Sequence, residues 1–243
     1  MPRFFIDGPP VGTQIVLRGE DAYHIYKVLR MKPGEALTLC DGKGMDYACT
    51  LKRADKDTAV CQMEAISPSL GEPDVLVTLY MGLPKGDKMD FIVQKAVELG
   101  AAKIVPFLAE RSVSRPDAET LQKKCARWRK IAHEAAMQCG RGRIPEVGEP
   151  LSQAQAAREA AQCQAPLFLY EEEREHGIRQ ALAGAKPVTA ALMIGPEGGF
   201  APEEAAFAKE VGMQSVSLGP RILRCETAPL AALSVVMYET GNL

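Results

Sequence analysis

The residues best suited to do chemistry lie in two short loops near the end of the chain. One is Gly195-Pro196-Glu197-Gly198-Gly199; the other is Gly219-Pro220-Arg221, with Arg224 and Glu226 close behind. Each follows an apolar stretch that reads as a strand, ALMI and SVSL, and each leads into a helix. In an open α/β sheet, ligands sit beyond the carboxyl ends of the strands. Both loops open there, so residues 194–200 and 218–226 are expected to share one site. Glycines let a ligand approach the backbone closely. The loops match neither the GxxxxGK[ST] pattern of a P-loop nor the GxGxxG of a dinucleotide fold. A tight strand-to-helix turn with Pro202 at the helix start explains a lone Gly-Gly. It does not explain Arg221, Arg224 and Glu226 in the second loop, so the pair is read as functional.

Other candidate chemistry is weaker. The seven cysteines are scattered with no CxxC pair, which points to free thiols in a reducing cytoplasm, all seven read as small buried hydrophobes. The three histidines, His24, His133 and His176, are far apart, and the HExxH-like start at His133-Glu134 fails because position 137 is Met. No metal is expected. Residues 123–143 carry seven basic side chains against one acidic, Glu134, in a chain that is otherwise balanced. Arg127 and Lys130 on a helix, and Arg141 and Arg143 in the glycine-spaced CGRGR, form a candidate phosphate-binding stripe. A solvated helix face is the competing explanation. Arg3, Lys27, Arg30 and Lys32 form a second, smaller basic set.

These residues need elements to position them. Residues 15–17, 36–40, 47–51 and 58–66 read as short strands separated by turns at Pro33-Gly34, Asp41-Gly42 and Asp55-Lys56-Asp57. A helical piece from Asp21 to Arg30, capped by Asp21 or Gly19, interrupts them. This spacing predicts a small β-barrel over residues 1–72, with Ser67 to Pro73 as a linker. From Val75 strands and helices alternate. VLVTLYMGL at 75–83 reads as a strand buried on both faces. A helix capped by Asp87 carries Met89, Ile92, Val93, Ala96 and Val97 on one stripe and ends at Gly100. Strands follow at 103–107 and 166–170, a long helix at 118–138, and Glu171 to Glu173 read as a solvated loop. Residues 73–243 therefore form a parallel α/β domain.

With 243 residues the chain has ample length for a buried core, and its net charge of −2 predicts no global attraction to nucleic acid or membrane. No apolar run approaches the ~18 residues of a membrane span. The first residues, MPRFFIDGPP, lack the pattern of a signal peptide. A cytoplasmic location is expected.

Several segments together resemble one family. IGPEGGF, SLGPRILRCETAPLAAL, QCGRGRIPEV, KMDFIVQKAVELGAAKIVPF with the ERS that follows, and HIYKVLRMKPGE are similar to the bacterial 16S ribosomal RNA uracil-N3-methyltransferases. These are SPOUT-class enzymes using S-adenosylmethionine. The resemblance spans almost the whole chain in register. It implies a PUA-like N-terminal barrel and a C-terminal domain with a trefoil knot, a feature that patterning alone never reveals. It also implies a homodimer with each cofactor site near the subunit interface.

The resemblance places cofactor contacts on Ile194, Gly195, Pro196, Glu197, Gly198 and Gly199, and on Leu218, Gly219, Pro220, Ile222, Leu223 and Arg224. Leu169 and Tyr170 are their expected neighbours. RNA is expected on the basic residues of the barrel and of CGRGR: Arg3, Lys27, Arg30, Arg127, Lys130, Arg141 and Arg143. The reaction is an in-line displacement at a methyl group and needs no metal; its main demand is orientation of donor and acceptor. The uracil nitrogen carries a weakly acidic proton. Arg224 is the candidate to stabilise the charge on the uracil oxygens, and Glu226 or Glu197 to accept the proton, directly or through water. The target base must be unstacked to be reached. The motifs specify the cofactor more tightly than the substrate, so another RNA, another atom, or a non-catalytic assembly factor are the alternatives. The final helix offers Leu230, Leu233, Val236 and Met237 as packing surface, for the core or for a second subunit.

Overall fold

A computed structural model describes all 243 residues. The chain divides into two compact units, 1–72 with 136–144, and 73–135 with 145–243. The inclusion of 136–144 in the first unit is not legible in the sequence.

The first unit contains β1 (Arg3–Phe5), β2 (Gln14–Arg18), α1 (Glu20–Tyr23), a π-helical turn (His24–Val28), β3 (Ala36–Cys40), β4 (Met45–Ala54) and β5 (Thr58–Pro68). The strands form one curled sheet in the order β1-β3-β4-β5-β2, antiparallel except where β1 joins β3. Register shifts between Ala48 and Cys49 and between Leu51 and Arg53 bend the long β4–β5 pair. The inward residues, among them Phe4, Ile15, Leu37, Leu39, Leu51 and Cys61, close a single core that Ala22 and Ile25 complete. The expected helix begins at Glu20, with Gly19 at its N-cap rather than Asp21, and stops at Val28.

The expected linker is not a free one. β5 continues through Pro68, and Ser69 donates its hydroxyl to Asp46. Glu72 accepts hydrogen bonds from Arg141 and from the backbone N–H groups of Gly142 and Arg143. These contacts from three successive residues to one carboxylate pin the 140–143 turn to the sheet.

The second unit contains β6 (Leu76–Gly82), α2 (Lys88–Glu98), β7 (Lys103–Leu108), α3 (Ala118–Cys139, its last turn in the first unit), β8 (Glu146–Val147), β9 (Leu151–Ser152), α4 (Gln153–Ala160), β10 (Ala165–Leu169), α5 (Ile178–Ala181), β11 (Thr189–Ile194), α6 (Pro202–Glu210), β12 (Gln214–Val216) and α7 (Ala228–Glu239). The sheet is parallel, in the order β12-β10-β11-β6-β7-β8, with β9 also on β7. Such a sheet is covered on both faces, which explains the continuous apolar runs of β6, β10 and β11. The five stripe residues of α2 are all buried. α4 and α6 cover Phe107, Phe168, Met193 and Phe200 on one face. In α7, Leu233, Val236 and Met237 are fully buried. Those three belong to the core and are not available to a second subunit; only Leu230 of the four keeps partial exposure.

Candidate functional site

β12, β10 and β11 are neighbours in the sheet, and the loop leaving each one meets the other two at the carboxyl end. Together they wall a cleft of about 620 Å³, within the roughly 300–1,000 Å³ of small-molecule sites. The first wall follows β11. Gly199 turns the chain at φ 65° and donates its N–H to the Pro196 carbonyl, 2.9 Å. Ala201 at the N-cap of α6 is held by the Glu204 carboxylate, 2.9 Å, as in a capping box. This loop lies so close to the end of β6 that a Cβ on Gly82 meets the Pro196 nitrogen at 2.6 Å. Gly82 is therefore required for the wall although it lies in a different strand.

The second wall follows β12. Ser217 and Gly219 exchange hydrogen bonds, Gly219 N–H to Ser217 Oγ at 3.1 Å and Ser217 Oγ–H to the Gly219 carbonyl at 3.3 Å. Arg224 accepts the N–H groups of Thr227 and Ala228 on its carbonyl, which starts α7. Ile222, an aliphatic side chain, is 74% exposed on this wall. The third wall follows β10, where Tyr170 donates its N–H to the Val216 carbonyl. The Glu173 carboxylate accepts the N–H groups of Arg174, Glu175 and His176 at 3.0–3.3 Å. Those backbone donors outweigh its burial and hold its pKa at about 2.

Most of the expected cofactor residues come together here. Leu169, Tyr170, Ile194, Gly195, Pro196, Glu197, Gly199, Leu218, Gly219, Ile222, Leu223 and Arg224 all line the cleft. Gly198 and Pro220 do not. Gly198 backs onto Arg111, whose carbonyl oxygen stands 2.8 Å from where a Cβ would be. A larger residue at 198 thus displaces the loop; it does not fill the cleft. Glu171, read from sequence as part of a solvated loop, lines the cleft instead, and so do Arg221, Cys225 and Lys88.

Lys88 is the largest omission. It opens α2, at the end of the strand next to β11, and its Nζ reaches Glu197 at 2.9 Å and Glu226 at 3.2 Å. Glu197 also accepts the Lys85 N–H. One ammonium therefore ties both glycine loops to the start of α2. Hydrogen bonds to Glu197 first, then to Glu226, raise the Lys88 pKa. Burial disfavours the ionised Glu197, but the Lys88 hydrogen bond and backbone N–H groups outweigh it and leave the carboxyl below its ordinary value. Glu226 is lowered by its own backbone N–H, then by the Cys225 thiol and Lys88. Burial, with Glu226 next to it, pushes the Cys225 thiol up to about 12, so it is no nucleophile at neutral pH.

The basic residues separate into two groups. Arg141 is buried, its side chain 5% exposed, and it pairs with Glu72 at 2.8 Å. Arg3 forms a two-pronged pair with Asp46, 2.6 Å on each arm. Both guanidiniums, expected on RNA, are engaged by carboxylates within the first unit. Arg127 pairs with Asp90, and Lys130 lies 3.9 Å from Glu134, both exposed. Such surface pairs are weak and leave the cations open to phosphate. Lys27, Arg30 and Arg143 are exposed. The apparent excess over 123–143 is matched largely by acids elsewhere in the chain, Glu72, Asp90, Glu119 and Glu149. No group of three or more His, Cys, Asp or Glu side chains is placed to hold a metal ion.

A parallel sheet whose ligand cleft is made by loops of three adjacent strands, joined to a curled N-terminal sheet, is the arrangement of the SPOUT RNA methyltransferases. An RNA methyltransferase domain family matches residues 71–237, and an RNA methyltransferase PUA domain family matches 17–64. The ribosomal RNA small subunit methyltransferase E of Bacillus subtilis is 38% identical, over 93% of this chain and 91% of its own. That of Mycobacterium bovis is 33% identical over 98% and 92%. The crystal structure of the Neisseria gonorrhoeae enzyme of that name, bound to S-adenosyl methionine, superposes with a TM-score of 0.86 at 33% identity, covering 98% of this chain and 97% of that one. The chain belongs to the ribosomal RNA small subunit methyltransferase E family.

Proposed function

We propose that the chain transfers a methyl group from S-adenosylmethionine to N3 of a uridine in 16S ribosomal RNA. The observation that carries this reading is the three-walled cleft. Its walls suit that cofactor. Leu169, Ile194, Leu218, Ile222 and Leu223 give an apolar slot for a flat base, loop backbone offers donors and acceptors, and the carboxylates of Glu171 and Glu197 face a cationic ligand. When bound, the cofactor supplies an electrophilic methyl group.

The chain's own residues orient the uracil and help it lose its imide proton. Held ionised by Lys88, Glu197 and Glu226 are weak proton acceptors near neutral pH. That supports a division in which Arg224 and Lys88 stabilise the negative charge developing on the uracil oxygens, while water next to Glu226 or Glu197 carries the proton away. Lys27, Arg30, Arg127, Lys130 and Arg143 remain exposed to hold RNA backbone, and the 1–72 unit is the natural carrier of RNA affinity, since it contributes no cleft residue. A homodimer built on α2 and α7 fits the apolar side chains left at their surface, Phe91 and Tyr238, with Leu230 partly exposed. The substrate places its work in the cytoplasm. No helix is long and apolar enough to cross a membrane.

The deciding experiment is methyl transfer from labelled cofactor to small subunits and to their naked RNA, with the modified base mapped by reverse transcription. An N3-methyl blocks the pairing face of uracil and stops the transcriptase. Label at another atom or another RNA overturns the substrate assignment. Sedimentation showing an active monomer overturns the dimer.

A further inference from the structure

One surface patch of the first unit takes no part in the cleft. α1 and the π-helical turn bury Ala22 and Ile25 against the core, yet expose Tyr23 (51%), Tyr26 (47%), Val28 (61%) and Leu29. The π geometry is the cause of part of this. In a regular helix Leu29 follows Ala22 and Ile25 at i+7 and i+4 and faces the core. The wider turn, closed by Leu29 N–H to the His24 carbonyl at 2.8 Å, rotates it outward instead. π turns concentrate at functional sites.

A second anomaly adjoins the first. Arg30, at φ 52°, is the only non-glycine residue with positive φ. It occupies the position after a helix end, with Met31 N–H bonded back to the Ile25 carbonyl, where glycine is the favoured residue. The chain tolerates the strain and places a cation there. Residues 22–34 contain no acid, and Lys27, Arg30 and Lys32 are exposed and make no ion pair. Exposed aromatic rings beside unpaired cations match the chemistry of a single-stranded nucleic acid: a π face for each base and a positive charge for each phosphate. The single sign of charge over residues 22–34 favours a polyanion.

We infer that Tyr23 and Tyr26 form a stacking platform for one or two unpaired bases of the RNA, with Lys27 and Arg30 on the adjoining phosphates. This deepens the ribosomal RNA reading and rests on it. The platform holds the strand by its ring faces, so it tolerates any base and requires an unpaired one.

The test uses the full chain, a labelled single-stranded oligouridylate and an RNA duplex of equal length, with affinity read by anisotropy across a salt series. Tyr23→Ala/Tyr26→Ala is expected to weaken single-strand binding about ten-fold or more per ring, with the duplex little changed and the salt slope retained. Tyr23→Phe/Tyr26→Phe keeps the affinity, because stacking needs the ring and not the hydroxyl. Arg30→Gly raises the melting temperature by relieving the backbone, yet weakens RNA binding and flattens the salt slope. Undiminished single-strand affinity in a folded Tyr23→Ala/Tyr26→Ala variant overturns the platform. So does a change in that variant's sedimentation, which marks the patch as a contact between copies. If the wild type methylates no small-subunit RNA but the tyrosine variant still loses the oligonucleotide, the methyltransferase reading fails and the platform stands.

Discussion

Replacing Arg141 by Met separates a structural role from an RNA-binding one. The guanidinium is almost completely buried, and Glu72, its partner, is 16% exposed. Removing one member of a buried pair costs roughly 3–5 kcal/mol, because the other charge is left without compensation. Two features of the site place this case at the low end. Glu72 keeps the N–H groups of Gly142 and Arg143, at 2.9 and 3.0 Å, and water reaches part of its carboxylate. Met retains most of the apolar stem. The expected loss is about 3 kcal/mol, which for a unit of this size lowers the melting temperature by about 12–24 °C. Calorimetry of the full chain reads it as an early transition. A Glu72→Gln/Arg141→Met pair is expected to be less destabilised than the two single losses combined, since the orphaned charge is gone. RNA affinity measured well below the transition keeps its salt slope. An unchanged melting temperature with a slope flattened by about 0.7–0.9 refutes the reasoning and returns Arg141 to the RNA surface.

Three further outcomes follow from the cleft. Lys88→Met releases Glu197 and Glu226 from their shared cation, so both carboxyl pKa values rise, kcat falls, and the acid limb of the pH–rate profile moves upward; Lys88→Arg restores part of the rate, and an unmoved profile contradicts the clamp. Gly82→Ala drives a methyl against the Pro196 nitrogen, so it is expected to cost about 1–3 kcal/mol and to weaken cofactor binding in calorimetric titration, although Gly82 does not line the cleft. Glu173 has a depressed pKa, so its stabilisation is present above the ordinary value of 4.5 and is lost as pH falls toward about 2. Glu173→Gln is then less stable at neutral pH and flattens the stability curve across that window; an identical curve removes Glu173 as the anchor of the β10 loop.

What the sequence determined by itself is what depends on neighbours along the chain. The stripe of α2, the span of β3 and the apolar runs of β6, β10 and β11 are local periodicities, and the structure keeps them. The two glycine loops were legible because a loop that follows a buried strand and precedes a helix has only one end of the sheet to open at. Tertiary structure alone decided which side chains meet. Glu197 and Glu226 lie 109 and 138 positions beyond Lys88, and although Lys88 opens the KMDFIVQKAVELG segment, no local pattern there shows that its ammonium meets them. The strand order that sets β6 beside β11 is what brings it in. The same limit explains the basic stripe. A window of sequence counts its own charges, whereas Asp90, Glu149 and Glu72 arrive from other elements and pair with three of its cations, Arg127, Arg129 and Arg141. In α7, an apolar helix side is the same string of letters whether it meets a sheet or a second subunit; the packing against β6 and β11 assigned Leu233, Val236 and Met237 to the core.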